Sequence, residues 1–180
     1  MSELSIHSFG PDKAPNEAYY RCRYKILREP LGFLPGSEIL MDDSVAIHAY
    51  AITNSEIVGV GRIHLIPPDS NGSQPDHAGS GAAICPPFSP LIMGNKRPAV
   101  QIRQMGVLAS NQRAGIGSTI LKKLEYEAVS QFKAKYGFLQ ARENAVQFYQ
   151  SQGWEIIDEP YTIPKIGLHY SMMKSLELSF

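Results

Sequence analysis

A chain of 180 residues with 43% hydrophobic content can bury one sizeable core and is too short for two full domains, so one domain over 1–180 is expected. Lysine plus arginine equals aspartate plus glutamate at 17 each, which leaves no long-range field to draw in nucleic acid or an anionic membrane. Cys22 and Cys85 show no CxxC spacing, the opening MSELSIHSFG lacks the basic and apolar regions of a signal peptide, and no apolar run nears ~18 residues. A reducing cytoplasm and small-molecule or neutral partners are the expected setting. ELSIHSF alternates weakly as an edge strand would, and NEAYYRCRYKIL places Ala18, Cys22 and Ile26 on one helical face before Pro30 and Gly32 stop it. AIHAYAIT and EIVGVGRIHLI are rich in β-branched and apolar residues and are joined by Asn54-Ser55, which predicts an antiparallel hairpin.

Residues 67–98 hold seven of the 13 prolines and show no sustained period. They predict a long Pro/Gly-rich insertion, a mobile lid or segment outside the core. AVQIRQMGVL reads as a strand, and after it Ile116, Ile120, Leu124 and Ala128 recur at steps of four, the stripe of an amphipathic helix. FLQA reads as a short strand, and NAVQFYQSQG as a helix with Asn144 as N-cap, Gln147 completing a capping box and Gly153 as its stop. WEIIDEP and GLHYSMMKSL close the chain as strands. A hairpin early and a strand–helix–strand crossover later imply an α/β domain built on a mixed sheet.

The turn before the long helix carries the chemistry. Gly115-Ile116-Gly117 begins like a dinucleotide fingerprint, but Ile120 occupies the place of its third small residue. Gly117 is followed by Ser118 and Thr119 with no lysine, so the turn is not a P-loop. What remains is a strand, a glycine-containing turn and a helix whose free N–H groups and positive dipole end suit a pyrophosphate.

Gln112-Arg113-Ala114-Gly115-Ile116-Gly117 after a strand resembles the acyl-CoA site of the GNAT superfamily of N-acetyltransferases. IRQMGV resembles that family's pantetheine-side strand, and ARENAVQFYQSQGW resembles its later segment carrying an asparagine toward CoA and a tyrosine toward sulfur. The resemblance follows the element order over roughly residues 3 to 176 and is specific across 101 to 154. It implies a mixed, mostly antiparallel central sheet flanked by helices, and acetyl-CoA as co-substrate with no metal. It further implies that backbone groups of Met105, Gly106 and Val107 hold pantetheine, that Gln112 through Ser118 cradle the pyrophosphate, and that Asn144 contacts CoA. The implied reaction is acetyl transfer to a primary amine, on a small molecule or a peptide, by direct attack in a ternary complex. A homodimer is compatible with it.

Two protons must move in such a reaction. Tyr149, a phenol of pKa ~10, is placed by the resemblance to hydrogen-bond or protonate the departing thiolate. An alkyl ammonium is neutral in only about one part in a thousand at pH 7.4, so a base or a lowered pKa must supply roughly 4 kcal/mol. Gln101 stands where some members carry a glutamate base, and an amide cannot take that proton. His48 and His64 are the expected bases, with His169, Glu38, Asp42 and Asp43 as further candidates. The resemblance places the acceptor around residues 24 to 43, with Arg28 and those acids, and 158 to 168; an acidic group there would suit a cationic amine. Two other readings stay open: a non-catalytic acyl-CoA-binding regulator, favoured by Gln101, and an acyltransferase like the acyl-homoserine lactone synthases, echoed by LREPLGFLPGSE.

Overall fold

The computed structural model describes residues 3–177; residues 1–2 and 178–180 of the expected domain lie outside the described residues. Edge strand β1 (Ser5–Phe9) is followed by α1 (Glu17–Leu27), the hairpin β2 (Ile47–Thr53) and β3 (Glu56–Leu65), and a small ribbon of β4 (Gln74–Pro75) and β5 (Ile84–Cys85). One helical turn, α2 (Ser89–Ile92), leads into β6 (Ala99–Val107), α3 (Ile116–Phe132), β7 (Tyr136–Arg142) and α4 (Val146–Ser151). The short strands β8 (Glu155–Ile156) and β9 (Tyr161–Ile163) precede β10 (Gly167–Ser175).

The main sheet runs β1-β2-β3-β6-β7-β10-β8, with β9 also paired to β10. Every neighbour is antiparallel except β6 and β7, the pair joined through α3. A parallel pair needs such a crossover because its strands begin at the same end of the sheet. Asn54 and Ser55 both take positive φ, 51° and 63°, which lets the two-residue β2–β3 turn follow the strand twist.

α3 packs by its expected stripe: Ile116, Ile120, Leu124 and Ala128 are buried against Ala49, Ile63, Val100 and Leu139. β3 accommodates it by having no side chains at two positions, since a Cβ at Gly59 would meet Ile120 at 2.8 Å and one at Gly61 would meet Leu124 at 2.9 Å. These glycines are there for close approach.

α1 covers part of the opposite face, capped by Asn16, whose side chain accepts from the Tyr19 N–H at 3.0 Å. Its buried residues are Tyr19, Cys22 and Arg23, and Ala18 is exposed. The inward face is therefore rotated from the Ala18–Cys22–Ile26 stripe expected from apolar residues alone. The physical reason is an ion pair: Arg23 donates to Asp43 at 2.9 Å and is fully buried.

Residues 67–98 supply core, not a lid outside it. Phe88 is fully buried and, with Leu91, packs against Ile66, Ala99 and Phe138, its ring centroid 5.0 Å from that of Phe138. Gln140 of β7 donates to the Pro86 carbonyl at 3.0 Å. The segment walls the sheet face opposite α3, beyond the reach of α1. A second correction concerns Asn144, which is exposed inside a 3₁₀ turn, Glu143–Ala145. α4 starts only at Val146 with no side-chain cap, so neither the N-cap nor the capping box forms. Gly153, at φ 90°, does end that helix.

Phe88→Ala should cost about 3–5 kcal/mol, the usual range for emptying a buried phenylalanine site, and lower Tm by roughly 10 °C in calorimetry. An unchanged transition would place the segment outside the core after all.

Candidate active site

β6 and β7 are paired at three positions only, Ala99–Tyr136, Val100–Gly137 and Gln101–Phe138. Beyond Gln101 the strands part. β6 bends there at a bulge: Gly61 of β3 faces two residues, Gln104 and Met105, between the Arg62–Arg103 and Val60–Gly106 pairs, and Gln104 takes φ 56°. The bulge is braced by Arg28, whose Nη2 donates to the Gln104 side-chain oxygen at 2.6 Å. Gly106 lies so near α1 that a Cβ would run into the Ile26 side chain. The result is a cleft of about 310 Å³ reaching from Gln112 and Asn144, through Met105, Gly106, Val107 and Tyr149, to Arg28, Arg142 and His169.

Next to Val107 at one end of the cleft α3 begins without a cap; of the expected anion turn Gln112 lines the cleft, and residues 113–118 lie beside it and not in its lining. Gly115 sits at its N-cap with φ 77°, no side chain caps the N–H groups of the first turn, and no acidic residue lies in it. The free N–H groups of that turn are what an anion needs. Arg113 is exposed at φ 66°, and the Gln112 amide donates to the Val107 carbonyl at 3.2 Å, tying the turn to the end of β6. Ser118 turns its hydroxyl to the Gln152 side chain at 3.3 Å, so its expected share in an anion cradle falls to its backbone N–H.

Tyr149 lines the cleft from α4, packed edge-on to Phe148 and Trp154, and its hydroxyl bonds no described residue. Burial pushes its pKa up to about 12.

His48 and His64, the expected bases, do not line this cleft, and that expectation is corrected. His48 is fully buried between Phe9 and Tyr19; its Nε2 donates to the Asp43 carbonyl at 2.7 Å, and Nδ1 faces the Tyr19 hydroxyl at 3.0 Å. Burial drops its pKa to about 4. His64 opens on a separate hollow with Asp42 and Phe132; its Nδ1 accepts from Arg62 at 2.7 Å, and burial together with that guanidinium drops its pKa to about 3. Both histidines belong to a buried ion network in which Arg62 bonds Asp42 and Asp43 at 2.8 Å and Arg23 bonds Asp43. Burial alone would raise both carboxyls, but the guanidiniums overcome it and hold them well below the usual range. Glu38 accepts from the Gly36 N–H at 2.7 Å. None of these acids lines the cleft. Gln101 is also structural, accepting at 2.6 Å from the amide of Gln74 in the 67–98 segment.

His169 does line the cleft. Its Nδ1 donates to the Gly167 carbonyl at 2.8 Å, which leaves Nε2 as the acceptor, and burial lowers its pKa below the ordinary 6.5. Sequence reasoning passed over Arg103 and Arg142, which also face the cleft. The signal was present: Gln101 and Arg103 on one strand, Gln140 and Arg142 on another, are polar residues two apart inside strands otherwise built for burial.

Residues 92–176 match the acetyltransferase (GNAT) domain family. Over 98 residues the chain is 30% identical to YitI, an uncharacterized N-acetyltransferase of Bacillus subtilis, spanning 54% of this chain and 64% of that relative's length. An acyl-CoA N-acyltransferase from Pseudomonas aeruginosa shares the fold at TM-score 0.67 and 13% identity, over 96% of this chain and 100% of that one. Over residues 92–176, just under half of its length, the chain is thus similar to the GNAT acetyltransferases. A GNAT family acetyltransferase from Elizabethkingia anophelis, solved with acetyl-CoA bound, also shares its fold at TM-score 0.56 and 16% identity, over 96% and 98% of the two chains. The split pair of parallel strands described above lies in a fold that this chain shares with that acetyl-CoA complex.

The ion network makes a pH prediction. A buried histidine with its pKa lowered to about 4 supports the fold fully above the unfolded value of ~6.5, and that support is lost as pH falls toward 4. Denaturant titrations should therefore show stability dropping by about 2–3 kcal/mol for each of His48 and His64 between pH ~6.5 and ~4. His48→Gln should remove about half of that slope and leave the part due to His64, and an equally steep slope in the variant would assign it to other groups.

Proposed function

We propose that this protein transfers an acetyl group from acetyl-CoA to a primary amine, on a small molecule or a peptide, by direct attack in a ternary complex. The observation that carries the reading is the one-ended split between β6 and β7, with the uncapped start of α3 beside it. Acetyl-CoA supplies the activated thioester. The N–H groups of Ile116, Gly117 and Ser118, with Gln112, Arg113, Ala114 and Gly115 forming the turn, suit its pyrophosphate; the edge of β6 at Met105, Gly106 and Val107 suits the pantetheine amides; and Asn144 stands at the rim.

The amine nitrogen forms a bond to the acetyl carbon, and the carbon–sulfur bond breaks. The amine's proton passes to Nε2 of His169, neutral at pH 7 because burial lowers its pKa, and from there to solvent. Tyr149 faces the leaving sulfur. With a hydroxyl of pKa about 12 against a thiol of ~8.5, giving up the proton would cost roughly 5 kcal/mol, so Tyr149 donates a hydrogen bond and keeps its proton. A reducing cytoplasm suits the two free, buried cysteines.

Steady-state acetylation of a panel of amines, beside calorimetric titration of acetyl-CoA, tests the reading. Tyr149→Phe should lower kcat by about 10- to 100-fold with little change in acetyl-CoA affinity, the mark of an interaction made in the transition state. Equal rates would remove Tyr149 from the chemistry. Gly117→Val should weaken acetyl-CoA about tenfold or more by narrowing access to the first-turn N–H groups, while its Cβ, 3.5 Å from Phe148, still fits the fold. The rate should fall as pH drops through the lowered His169 pKa, and His169→Gln should lose that limb. Acetyl-CoA binding with no turnover on any amine would favour a non-catalytic acyl-CoA-binding regulator.

A further inference from the structure

Five arginines are buried or half-buried on the side of the sheet opposite α3, and the fold treats them in two ways. Arg23 and Arg62 are each paired to carboxylates at 2.8–2.9 Å. Arg28, Arg103 and Arg142, which line the cleft, have no carboxylate of a described residue within ion-pair distance. Arg28 bonds the neutral oxygens of Ser37, Leu27 and Gln104, and Arg103 bonds the carbonyls of Pro75 and Asp76. Arg142 makes no hydrogen bond to any described residue. Asp76 is the one carboxylate among the described lining residues, and its Oδ2 lies 3.3 Å from His77. Three guanidiniums against one acid leave the cleft with an excess of positive charge, and a half-buried guanidinium with nothing to bond is costly unless a ligand completes it.

We infer that the acceptor is an amino acid-like molecule whose free carboxylate, a few bonds from the reacting amine, is bound by Arg142 with Arg103 and Arg28 behind it. This rests on the acetyl-transfer reading above. The spacing comes from strand register: Arg142 of β7 and His169 of β10 are paired across the sheet and project to the same side, with Cβ atoms about 5 Å apart. An amine at Nε2 of His169 therefore holds an anion beside Arg142 only if the two groups are close in its own skeleton. A planar guanidinium takes a carboxylate through two parallel hydrogen bonds, which fixes direction as well as charge. The same positive excess disfavours an ammonium ion, so it favours the neutral, nucleophilic amine. The Tyr161 hydroxyl, whose ring stacks on His169, is buried with no hydrogen-bond partner among the described residues and is a further donor for the bound acceptor. The expectation of an acidic acceptor site for a cationic amine is thereby reversed, because Asp42 and Asp43 are consumed by Arg23 and Arg62.

The experiment compares free amino acids with their carboxamides, both as acceptors in steady state and as ligands titrated into the protein–CoA complex. At least one amino acid should exceed its carboxamide by about 100-fold in kcat/KM, and by about tenfold or more in affinity. Arg142→Gln should raise KM for that amino acid about tenfold or more with a smaller change in kcat, and Arg142→Glu should reverse the preference. Turnover of carboxamides or simple amines as fast as amino acids would overturn the inference and leave acetyl transfer standing. If no amine turns over, the titration decides alone: an amino acid bound in preference to its amide, and lost in Arg142→Gln, supports the carboxylate site, and equal or absent binding of both overturns it. Failure of acetyl-CoA itself to bind would overturn the underlying reading as well.

Discussion

The molecule depends on a parallel strand pair that is closed at one end and open at the other. Ala99, Val100 and Gln101 zip to Tyr136, Gly137 and Phe138, and the bulge at Gln104 then bends β6 away. A sheet that stayed paired along its length would satisfy every backbone group and leave nowhere to bind. Opening it exposes the backbone edge of β6, puts the start of α3 beside one end, and gives the side chains of β7 and β10 access to the other. The crossover helix that a parallel pair requires is the same helix whose uncapped first turn is proposed to take the anion, so topology and the proposed binding share one cause.

Burying charge is the second constraint, and the protein meets it by separating structural from available cations. Asp42 and Asp43 serve Arg62 and Arg23, and His48 and His64 stay neutral inside that network. These groups hold α1, the 43–45 turn and the β2–β3 hairpin together. Its carboxylates are taken up by the two guanidiniums, whose Nε atoms alone stay buried without a partner, so the network has no free carboxylate to offer a substrate. Arg28, Arg103 and Arg142, restrained by neutral oxygens or by nothing, retain their charge for the cleft.

The 67–98 segment shows why composition misleads about long proline-rich stretches. Its prolines and glycines limit it to a two-residue ribbon and one helical turn, yet Phe88 and Leu91 give it an apolar foot on Ile66, Ala99 and Phe138. From that foot it delivers Asp76, Cys85 and the carbonyls that position Arg103 to the cleft wall. The wall covers a sheet face that would otherwise expose Phe138 and Met173 to water.

Much of the fold was legible in local pattern. The α3 stripe, the Asn54-Ser55 hairpin, the strand–turn–helix order around Gly115 and the stop at Gly153 all follow from periodicity and glycine stereochemistry, which act over a few residues and need no distant partner. The uncapped helix start proposed to hold the anion was legible for the same reason, since a helix start is a local object. The acceptor end was not. Whether His48, His64 or His169 meets the substrate, and whether Asp43 or Arg142 is left with its charge unspent, depends on which groups from distant segments pair with one another. Residues 23, 43 and 62 become one network, and residues 28, 76, 103, 142 and 169 one cleft, only when the sheet assembles. Sequence by itself determined the elements and the anion turn, because their causes are local. Tertiary structure decided the chemistry of the acceptor cleft, because buried charge is neutralised by whatever lies nearest in space.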